Sequence, residues 1–389
     1  MLLKKRYFKL NLCKMFSAFK KEKTLKNALL IIGEDIGVNA PFLDYIFCAY
    51  KRHFGELGEF RFVSKSDKEL PFIIEHLCAR SDSLCIYASS QNCSVAAKIL
   101  ATLSGDILEL KSPQMLAPSR AEKFGDEGFL IKLNQTYVNL LKADANQKLP
   151  AIDIKTQRDF GYFHLVDIDE ESAKILLEPL AKTYEVQIYS SQILSNLALI
   201  RVEANKFGQT SGFINGAKNL FSGKFFEGED VFRHVASTLI ASGLKLTFAE
   251  SCTAGLAAAK FGAFAGVSAA FNGSLVTYAN EMKRDWLGVS DEILQTYGAV
   301  SEQCVMAMLK GALKASESDF SLAISGIAGP DGGSEAKPVG TVFVGACAKD
   351  GECMIERLNL NGDRNYIREQ SALAAYVCLL KLKPRLFLA

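Results

Sequence analysis

The chain has 389 residues, of which 49% are hydrophobic and 23% are charged. This length predicts two or three domains with buried cores, and the composition excludes a collagen, a coiled coil and a disordered protein. The formal net charge is +2, but the charges are unevenly distributed. Residues 1–26 form a basic tail with nine Lys or Arg and one Glu. Apart from this tail, the charge gives no indication of nucleic-acid binding.

The basic tail does not have the pattern of a signal peptide, because Lys9, Lys14 and Lys20 interrupt its apolar residues. No stretch of the chain is typical of a membrane span. The ten Cys include no CxxC pair, so neither a zinc ribbon nor a thioredoxin-like site is indicated. We therefore expect a cytoplasmic protein with reduced thiols.

Residues 27–150 alternate short apolar strands with amphipathic helices, which predicts an α/β domain with a parallel sheet covered on both faces. The predicted strands are 28–33 and 83–89, and the predicted helices are 39–54, 69–80 and 91–103. Residues 155–222 predict a small α+β domain instead. Its strands are 162–168, 185–191 and 197–204, and its helices are 169–184 and 209–223. The charged, Gly-containing segment 222–230 is typical of a linker.

Residues 229–389 predict a second α/β domain. Its helices are 231–244, 253–264, 280–288, 301–316 and 364–383. Its strands are 245–249, 273–279, 320–326, 340–348 and 353–361, with a long Gly/Pro loop at 327–340. Gly243 and Gly288 are expected to end helices, Asn280 and Ser301 to cap them, and Asp363 or Asn361 to begin the last one.

The lack of histidine restricts the catalytic chemistry that this second α/β domain can perform. The four His are at 53, 76, 164 and 234, so residues 235–389 contain none. The domain cannot build a Ser-His-Asp triad, a Cys-His pair or a His-containing zinc site from these residues. Any activated nucleophile there must use Lys, Asp/Glu or Tyr as its base.

The segment AESCTAG (249–255) joins a predicted strand to a predicted helix. This places Ser251 or Thr253 at a helix N-terminus, where free N–H groups can form an oxyanion hole or bind a phosphate. The same pattern also fits an ordinary Ser or Thr cap without catalytic function. Cys252 is a competing nucleophile, whose thiolate would need a helix dipole or a Lys beside it.

The segment GSLVTYANEMK (273–283) offers a base. Tyr278 ends a predicted strand and Lys283 lies in the first turn of the next helix, so both can reach the crevice at the carboxyl edge of the sheet. A helix N-terminus and burial both lower the pKa of a lysine, which could then act as a base, although a solvated Lys fits the pattern as well. The Gly-rich segment 324–345 is either a phosphate cradle or a long surface loop.

Six segments of this domain resemble the CinA family, in its C-terminal nicotinamide-nucleotide amidase domain, over roughly residues 230–383. They occur in the order AESCTAG, GSLVTYANEMK, GVSDEIL, YGAVSE, SGIAGPDGGSEAKPVGTVFVG and NGDR. The resemblance implies hydrolysis of the carboxamide of nicotinamide mononucleotide to nicotinic acid mononucleotide and ammonia, a step of pyridine-nucleotide salvage. It also implies that Ser251 is the nucleophile and that Tyr278 and Lys283 are its partners, with no metal or organic cofactor.

For such an amidase we expect the backbone N–H groups of Cys252 and Thr253 to hold the oxyanion. The substrate phosphate or ribose needs cations and backbone donors. The candidates are Gly329, Gly332, Gly333, Lys337 and Arg364.

Residues 27–150 resemble the molybdopterin-binding-like (MoaB/MogA-like) α/β domain of the same family, through GEDIGVNAPFL at 33–43. The segments at 87–98 and 142–149 lack the Gly residues and the acidic pair of the family pattern, so a divalent metal site and ADP-ribose pyrophosphatase activity are not expected. Residues 155–222 match the position of a KH-like domain. They contain no GxxG loop, so RNA binding is not predicted.

The sequence thus predicts an amidase that acts on a small-molecule nucleotide, has no nucleic-acid partner, and forms a homo-oligomer, in the simplest case a dimer. Two other functions stay open: a non-catalytic nucleotide-binding, competence-associated scaffold, and an ADP-ribose pyrophosphatase in the N-terminal domain. Retention of Ser251, Tyr278 and Lys283 together favours the amidase over the scaffold.

Overall fold

The computed structural model describes residues 25–64, 66–113, 115–155 and 159–389. The chain divides near residue 158 into two compact units. All but the last two positions of the predicted basic tail lie outside the described residues. Within the described residues, the helices all lack the length and apolar character that a membrane crossing needs.

The first unit is built on a mixed six-stranded sheet with the strand order β2-β1-β3-β8-β7-β6. The first four of these strands are parallel, as the sequence predicts, while β7 and β6 add an antiparallel edge that it does not predict. A separate antiparallel pair joins β4 to β5. The elements are β1 Leu25–Ile32, α1 Glu34–Gly37, α2 Ala40–Phe54, β2 Glu59–Val63, α3 Leu70–Arg80, β3 Ser81–Ala88, α4 Ser90–Ser104, β4 Leu108–Ser112, β5 Met115–Pro118, β6 Lys123–Gly125, β7 Gly128–Leu133 and β8 Thr136–Lys142.

Strand β1 shows why both faces of this sheet are covered. Leu30 and Ile32 point into one core with helices α3 and α4, while Leu29 and Ile31 point into another core with helix α2. Side chains alternate between the two faces of a strand, so a continuous apolar run needs helices on both sides. The predicted two-sided α/β layering is therefore confirmed.

The second unit starts with a four-stranded antiparallel sheet of the order β10-β11-β9-β12, with two helices packed on one face. Strand β12 lies in the segment predicted as a linker. That prediction is wrong for these three residues, because Phe225 and Phe226 are buried and pair with β9. The elements are β9 Phe160–Val166, α5 Glu170–Thr183, β10 Val186–Leu194, β11 Leu197–Ala204, α6 Thr210–Leu220 and β12 Phe225–Glu227.

The rest of the second unit is a five-stranded sheet of the order β14-β13-β15-β16-β17, in which the first three strands are parallel and the last two antiparallel. One face is covered by α7, α8 and α12 and the other by α11. The elements are α7 Val231–Ser242, β13 Leu246–Glu250, α8 Leu256–Gly262, a 3-10 turn at Val267–Ala269, β14 Phe271–Val276, α9 Asn280–Leu287, α10 Asp291–Thr296, α11 Glu302–Ser316, β15 Phe320–Gly326, β16 Thr341–Ala348, β17 Cys353–Asn359, α12 Arg364–Leu382 and α13 Pro384–Phe387.

Local sequence signals place most ends of these helices correctly. Gly243 and Gly288 follow helices in the left-handed conformation, and Ser301 and Asp363 cap helices through their side chains. Asn280 is not a cap but the first helical residue, after Ala279. The expectation of reduced thiols is wrong for Cys347 and Cys353, which face each other on β16 and β17 and form a disulfide.

The parallel register positions the candidate site. Glu250, the last residue of β13, lies opposite Val276 on β14 and Ile324 on β15. The residues that follow these strands therefore emerge side by side at the carboxyl edge of the sheet, where open α/β sheets bind ligands. AESCTAG and GSLVTYANEMK meet at this edge.

Candidate active site

Lys283, in the segment GSLVTYANEMK, forms a hydrogen bond to the segment AESCTAG. Its Nζ donates to Ser251 Oγ at 3.1 Å, to the Thr277 carbonyl at 2.8 Å and to the Tyr278 carbonyl at 2.9 Å. The side chain is 1% exposed although lysine is rarely buried, and Ser251 is 9% exposed. The structure thus brings the predicted base to the predicted nucleophile.

The surroundings of Lys283 make its amine easier to deprotonate than that of an exposed lysine. Burial lowers the pKa of Lys283, and the nearby groups Cys304, Cys252 and Glu281 act in the opposite direction with smaller effect. A neutral amine has two N–H donors and one lone pair. In the ammonium form Nζ donates to Ser251 and to both carbonyls. After deprotonation the two carbonyls keep the two remaining donors and the lone pair faces the Ser251 hydroxyl, which is the geometry of a general base.

The nucleophile lies in a tight turn rather than at the start of a helix. Ser251 N donates to the Ile324 carbonyl, and Ala254 N donates to the Ser251 carbonyl. Helix α8 begins only at Leu256, so the prediction that Ser251 or Thr253 occupies a helix N-terminus is wrong by about one turn. Glycine tolerates the left-handed conformation that the chain needs at Gly255.

The N–H groups at the start of α8 are not available to a ligand. The Glu250 carboxylate is fully buried and accepts from Ala257 N at 3.1 Å and from Ala258 N at 2.9 Å. By contrast, the backbone N–H groups of Cys252 and Thr253 have no acceptor within residues 159–389. The donors for an oxyanion are therefore those of the turn itself.

Cys252 is a poorer nucleophile than Ser251 in this structure. Its side chain packs in the apolar core below the turn, and burial raises its pKa to about 12. A thiol attacks as the thiolate, which is scarce near neutral pH at this pKa. Cys304 beside Lys283 is also buried, and burial raises its pKa as well.

Tyr278 lies beside the base, but its side chain is directed elsewhere. Its carbonyl accepts from Lys283, whereas its half-exposed phenol accepts from Arg364 Nη2 at 3.0 Å. The phenol bonds to neither Ser251 nor Lys283 in this arrangement. A direct relay between the nucleophile and the base through Tyr278 is therefore not part of the geometry.

Arg364 ties the Gly-rich loop to the site. Its Nη1 donates to the Gly329 carbonyl at 2.6 Å while Nη2 reaches Tyr278. Three of the five guanidinium N–H groups are left for an anion. Gly332 and Gly333 are exposed in the same loop, whereas the Nζ of Lys337 is bonded to the carbonyls of Tyr297 and Val300. Of the five predicted binding residues, Gly332, Gly333 and Arg364 are exposed, whereas Gly329 is buried and Lys337 braces a neighbouring loop.

Three residues at the site are missed by the sequence reasoning: Glu250, Thr277 and Arg368. Arg368 Nη2 donates to the Thr253 carbonyl at 2.7 Å, from the helical turn after Arg364. The i to i+4 spacing of two arginines is a signal that could have identified Arg368. Glu250 is visible in the AESC motif, but only the fold reveals that it caps α8.

The described residues contain no cluster of three or more His, Cys, Asp or Glu side chains that could hold a metal ion. What the site does contain is a hydroxyl, a buried amine and free backbone donors. This set can carry out acyl transfer, because it supplies a nucleophile, a base and a place for developing negative charge.

Comparison with known proteins gives consistent matches to this half of the chain. A family model described as the CinA C-terminal domain matches residues 229–383. A CinA-like protein of Fervidobacterium nodosum is 49% identical over 142 residues, which are 36% of this chain and 35% of that protein. The nicotinamide-nucleotide amidohydrolase PncC of Enterobacter agglomerans is 48% identical over 138 residues, which are 36% of this chain and 84% of that protein.

A solved structure, that of the competence/damage inducible protein CihA from Agrobacterium tumefaciens, is 40% identical and covers 39% of this chain and 93% of its own, with a TM-score of 0.39. The chain spans about a third of the length of the CinA-like relative and most of the length of the amidohydrolase. The similarity to these relatives is thus confined to the half of the chain that contains Ser251 and Lys283.

Proposed function

The chain belongs to the CinA family, and from this membership we propose that its C-terminal region is an amidohydrolase that converts nicotinamide mononucleotide to nicotinic acid mononucleotide and ammonia. One observation carries the proposal: the buried amine of Lys283 lies 3.1 Å from the hydroxyl of Ser251. The name of the amidohydrolase relative supports the choice of amide substrate.

In the proposed reaction, neutral Lys283 takes the hydroxyl proton while Ser251 Oγ attacks the carboxamide carbon. The carbonyl electron pair moves onto oxygen, and the N–H groups of Cys252 and Thr253 stabilise the resulting oxyanion. Removal of one such donor typically costs about 2.7–4 kcal/mol of transition-state stabilisation. In this proposal the two N–H groups beside the nucleophile have no acceptor within residues 159–389 because their acceptor is the oxyanion of the substrate.

The C–N bond then breaks, and the ammonium of Lys283 returns its proton to the leaving amine, which departs as ammonia. The remaining ester between Ser251 and the nicotinoyl group reacts with water. Lys283 removes a proton from that water and finally restores the hydroxyl of Ser251. One water is consumed, one amide bond is broken, and a carboxylic acid is formed.

Recognition of the nucleotide is assigned to Arg364 and the backbone of Gly329, Gly332 and Gly333. The free N–H groups of the Arg364 guanidinium form a fork that fits a phosphate. A nucleotide amidase needs such a contact, because the carboxamide alone would not distinguish the nucleotide from free nicotinamide. Lys337 has a structural part in this proposal, since its amine holds two carbonyls.

The test is ammonia release from nicotinamide mononucleotide by the full chain, with Ser251→Ala and Cys252→Ala as a matched pair of neighbouring substitutions. We expect Ser251→Ala to lose at least about 10³-fold in kcat and Cys252→Ala to keep most activity. A fully active Ser251→Ala would overturn the nucleophile assignment. Tight binding of the nucleotide by the wild type without turnover would favour the scaffold function instead.

A further inference from the structure

The turn that contains the nucleophile needs support from outside itself. Ala254 has φ +50° and Gly255 has φ +88°, so two consecutive residues adopt the left-handed conformation. That conformation is unfavourable for alanine, because its Cβ approaches a carbonyl oxygen. A strained turn persists only where the surrounding structure over-determines it.

Arg368 supplies one restraint. Its Nη2 donates to the Thr253 carbonyl at 2.7 Å, and its Nη1 donates to Asn365 Oδ1 at 3.2 Å. The N–H of the same peptide group, which belongs to Ala254, donates to the Ser251 carbonyl at 3.0 Å. The peptide plane between Thr253 and Ala254 is therefore held at both ends.

Glu250 supplies the second restraint, on the other side of the turn. Its buried carboxylate holds the N–H groups of Ala257 and Ala258, and this fixes where α8 begins. The turn is thus clamped by a carboxylate from β13 and a guanidinium from α12. Hydrogen bonds to charged groups are stronger than those between neutral groups, so both restraints are effective.

The orientation of this peptide group matters for the reaction. A flip would direct the Thr253 carbonyl oxygen towards the nucleophile, where its negative end would repel an oxyanion. The preceding peptide plane, which carries the Thr253 N–H, shares only the Thr253 Cα with this one, so a loosened turn would displace that donor as well. The guanidinium of Arg368, together with the Leu256 N–H that donates to the same carbonyl at 3.2 Å, holds this oxygen away from the site.

We propose that Arg368 is a positioning residue, which holds the Thr253 carbonyl so that the N–H groups of Cys252 and Thr253 face the developing oxyanion. The inference rests on the proposed amidase function for its kinetic consequence, but the restraint on the turn is independent of any substrate. It differs from the part assigned to Arg364, whose free donors face the nucleotide.

The kinetic experiment compares Arg368→Ala and Arg368→Lys with Glu369→Ala in the full chain. Glu369 is the next residue of α12, and its carboxylate pairs with Lys260 at 2.9 Å without touching the turn. Arg368→Ala should lower kcat about 10- to 100-fold, as expected for misplaced catalytic groups, and leave KM within about threefold. Lysine keeps one charged donor, so Arg368→Lys should recover most of the loss, and Glu369→Ala should match the wild type.

Hydrogen exchange of the peptide that covers residues 251–255 measures the turn directly. We expect faster exchange of Ala254 N–H in Arg368→Ala and unchanged exchange in Glu369→Ala. Unchanged exchange in Arg368→Ala would overturn the inference, and so would faster exchange with an unchanged kcat in an active enzyme. A rise in KM with kcat preserved would show that Arg368 binds substrate instead.

The two proposals fail in distinguishable ways. If the wild type releases no ammonia while Arg368→Ala still accelerates exchange in the turn, the amidase assignment is wrong and the restraint by Arg368 stands. If the wild type is active and Arg368→Ala changes neither kcat nor exchange, the positioning inference is wrong and the amidase assignment stands.

Discussion

The two α/β sheets of the molecule share a design, with parallel strands in the centre and an antiparallel edge, but the carboxyl ends of their strands differ in chemistry. At this edge of the N-terminal sheet two carboxylates bond to helix α4. Asp35 accepts from Asn92 at 3.4 Å, and Asp144 accepts from the backbone N–H and the hydroxyl of Ser90. Both carboxylates are thus bonded to residues of helix α4 in the same unit.

At the same edge of the C-terminal sheet, some hydrogen-bond donors have no acceptor within residues 159–389. Lys283 meets only Ser251 and two carbonyls, and the N–H groups of Cys252 and Thr253 have no acceptor within residues 159–389. The difference teaches that an α/β edge becomes a candidate site when its donors are not used by the fold. Architecture places the edge, while individual side chains decide its chemistry.

The largest expected effect comes from removing the base. Lys283→Met should lower kcat by about 10²–10⁴-fold, because the proton of Ser251 then has no acceptor. Lys283→Arg introduces a larger, permanently charged group that cannot act as a base, so it should be equally inactive at every pH. A variant with methionine that retains wild-type ammonia release would remove the main distinction between the two edges.

The pH dependence of the wild type follows from the same residue. Because burial lowers the pKa of Lys283 below 10.5, kcat/KM should rise with pH as the amine loses its proton, at a pH below that of an ordinary lysine. The unfolded chain binds this proton up to pH 10.5, so the free energy of unfolding should also rise with pH in that window. A pH–rate profile in which kcat/KM does not rise with pH would show that Lys283 is not the base.

The next effect concerns the nucleotide. Arg364→Ala should raise KM about 10–100-fold and leave kcat within about threefold, from the loss of roughly 1.5–3 kcal/mol of charged hydrogen bonding. Arg357→Ala is a matched control, because Arg357 binds the Ala336 carbonyl at the far end of the same loop. A collapse of kcat with KM unchanged would move Arg364 from substrate binding to the catalytic centre.

A smaller effect tests the strain in the turn. Ala254→Gly should raise the free energy of unfolding by about 0.5–1 kcal/mol, since it removes a left-handed penalty of about 1–2 kcal/mol and adds the entropic cost of glycine. Ala263→Gly is the control, because Ala263 has φ −71° and gains nothing from glycine. Urea unfolding measures both variants, and equal destabilisation of the two would contradict a strained turn.

The smallest effect is expected in the N-terminal unit. Asp35→Asn and Asp144→Asn should change ammonia release less than twofold, and the full chain should not hydrolyse ADP-ribose with Mg²⁺ above background. Their carboxylates are bonded to Asn92 and Ser90 and form no three-residue metal cluster within the described part of the chain. Mg²⁺-dependent cleavage that Asp35→Asn abolishes would break the contrast between the two sheets.

Local patterns account for much of the fold and for the centre of the candidate site. Helix ends at Gly243 and Gly288 and caps at Ser301 and Asp363 follow from short-range chemistry, and the structure places them as predicted. The absence of His after residue 234 restricts the base of this domain to Lys, Asp/Glu or Tyr. The meeting of Ser251 and Lys283 follows from parallel strands, because their carboxyl ends share one edge.

Other features depend on contacts between distant parts of the chain. Strand β12 lies in a charged, Gly-containing segment, and it pairs only because β9 offers a free edge. The lowered pKa of Lys283 depends on burial, which no local pattern of a polar helix indicates. The side-chain direction of Tyr278 is set by Arg364, which lies 86 residues further on.

The sequence by itself determined the α/β layering and most helix ends, because these depend on periodicity and capping within a few positions. Its resemblance to the CinA family predicted Ser251 as nucleophile and Lys283 as its partner. Only the tertiary structure decided that Glu250 uses the helix donors, that Arg368 holds the turn and that Cys252 is buried with a raised pKa. The physical reason is that hydrogen-bond partners and desolvation are properties of the packed chain. Thr253 and Arg368, for example, are 115 residues apart in the chain and meet only in the folded domain.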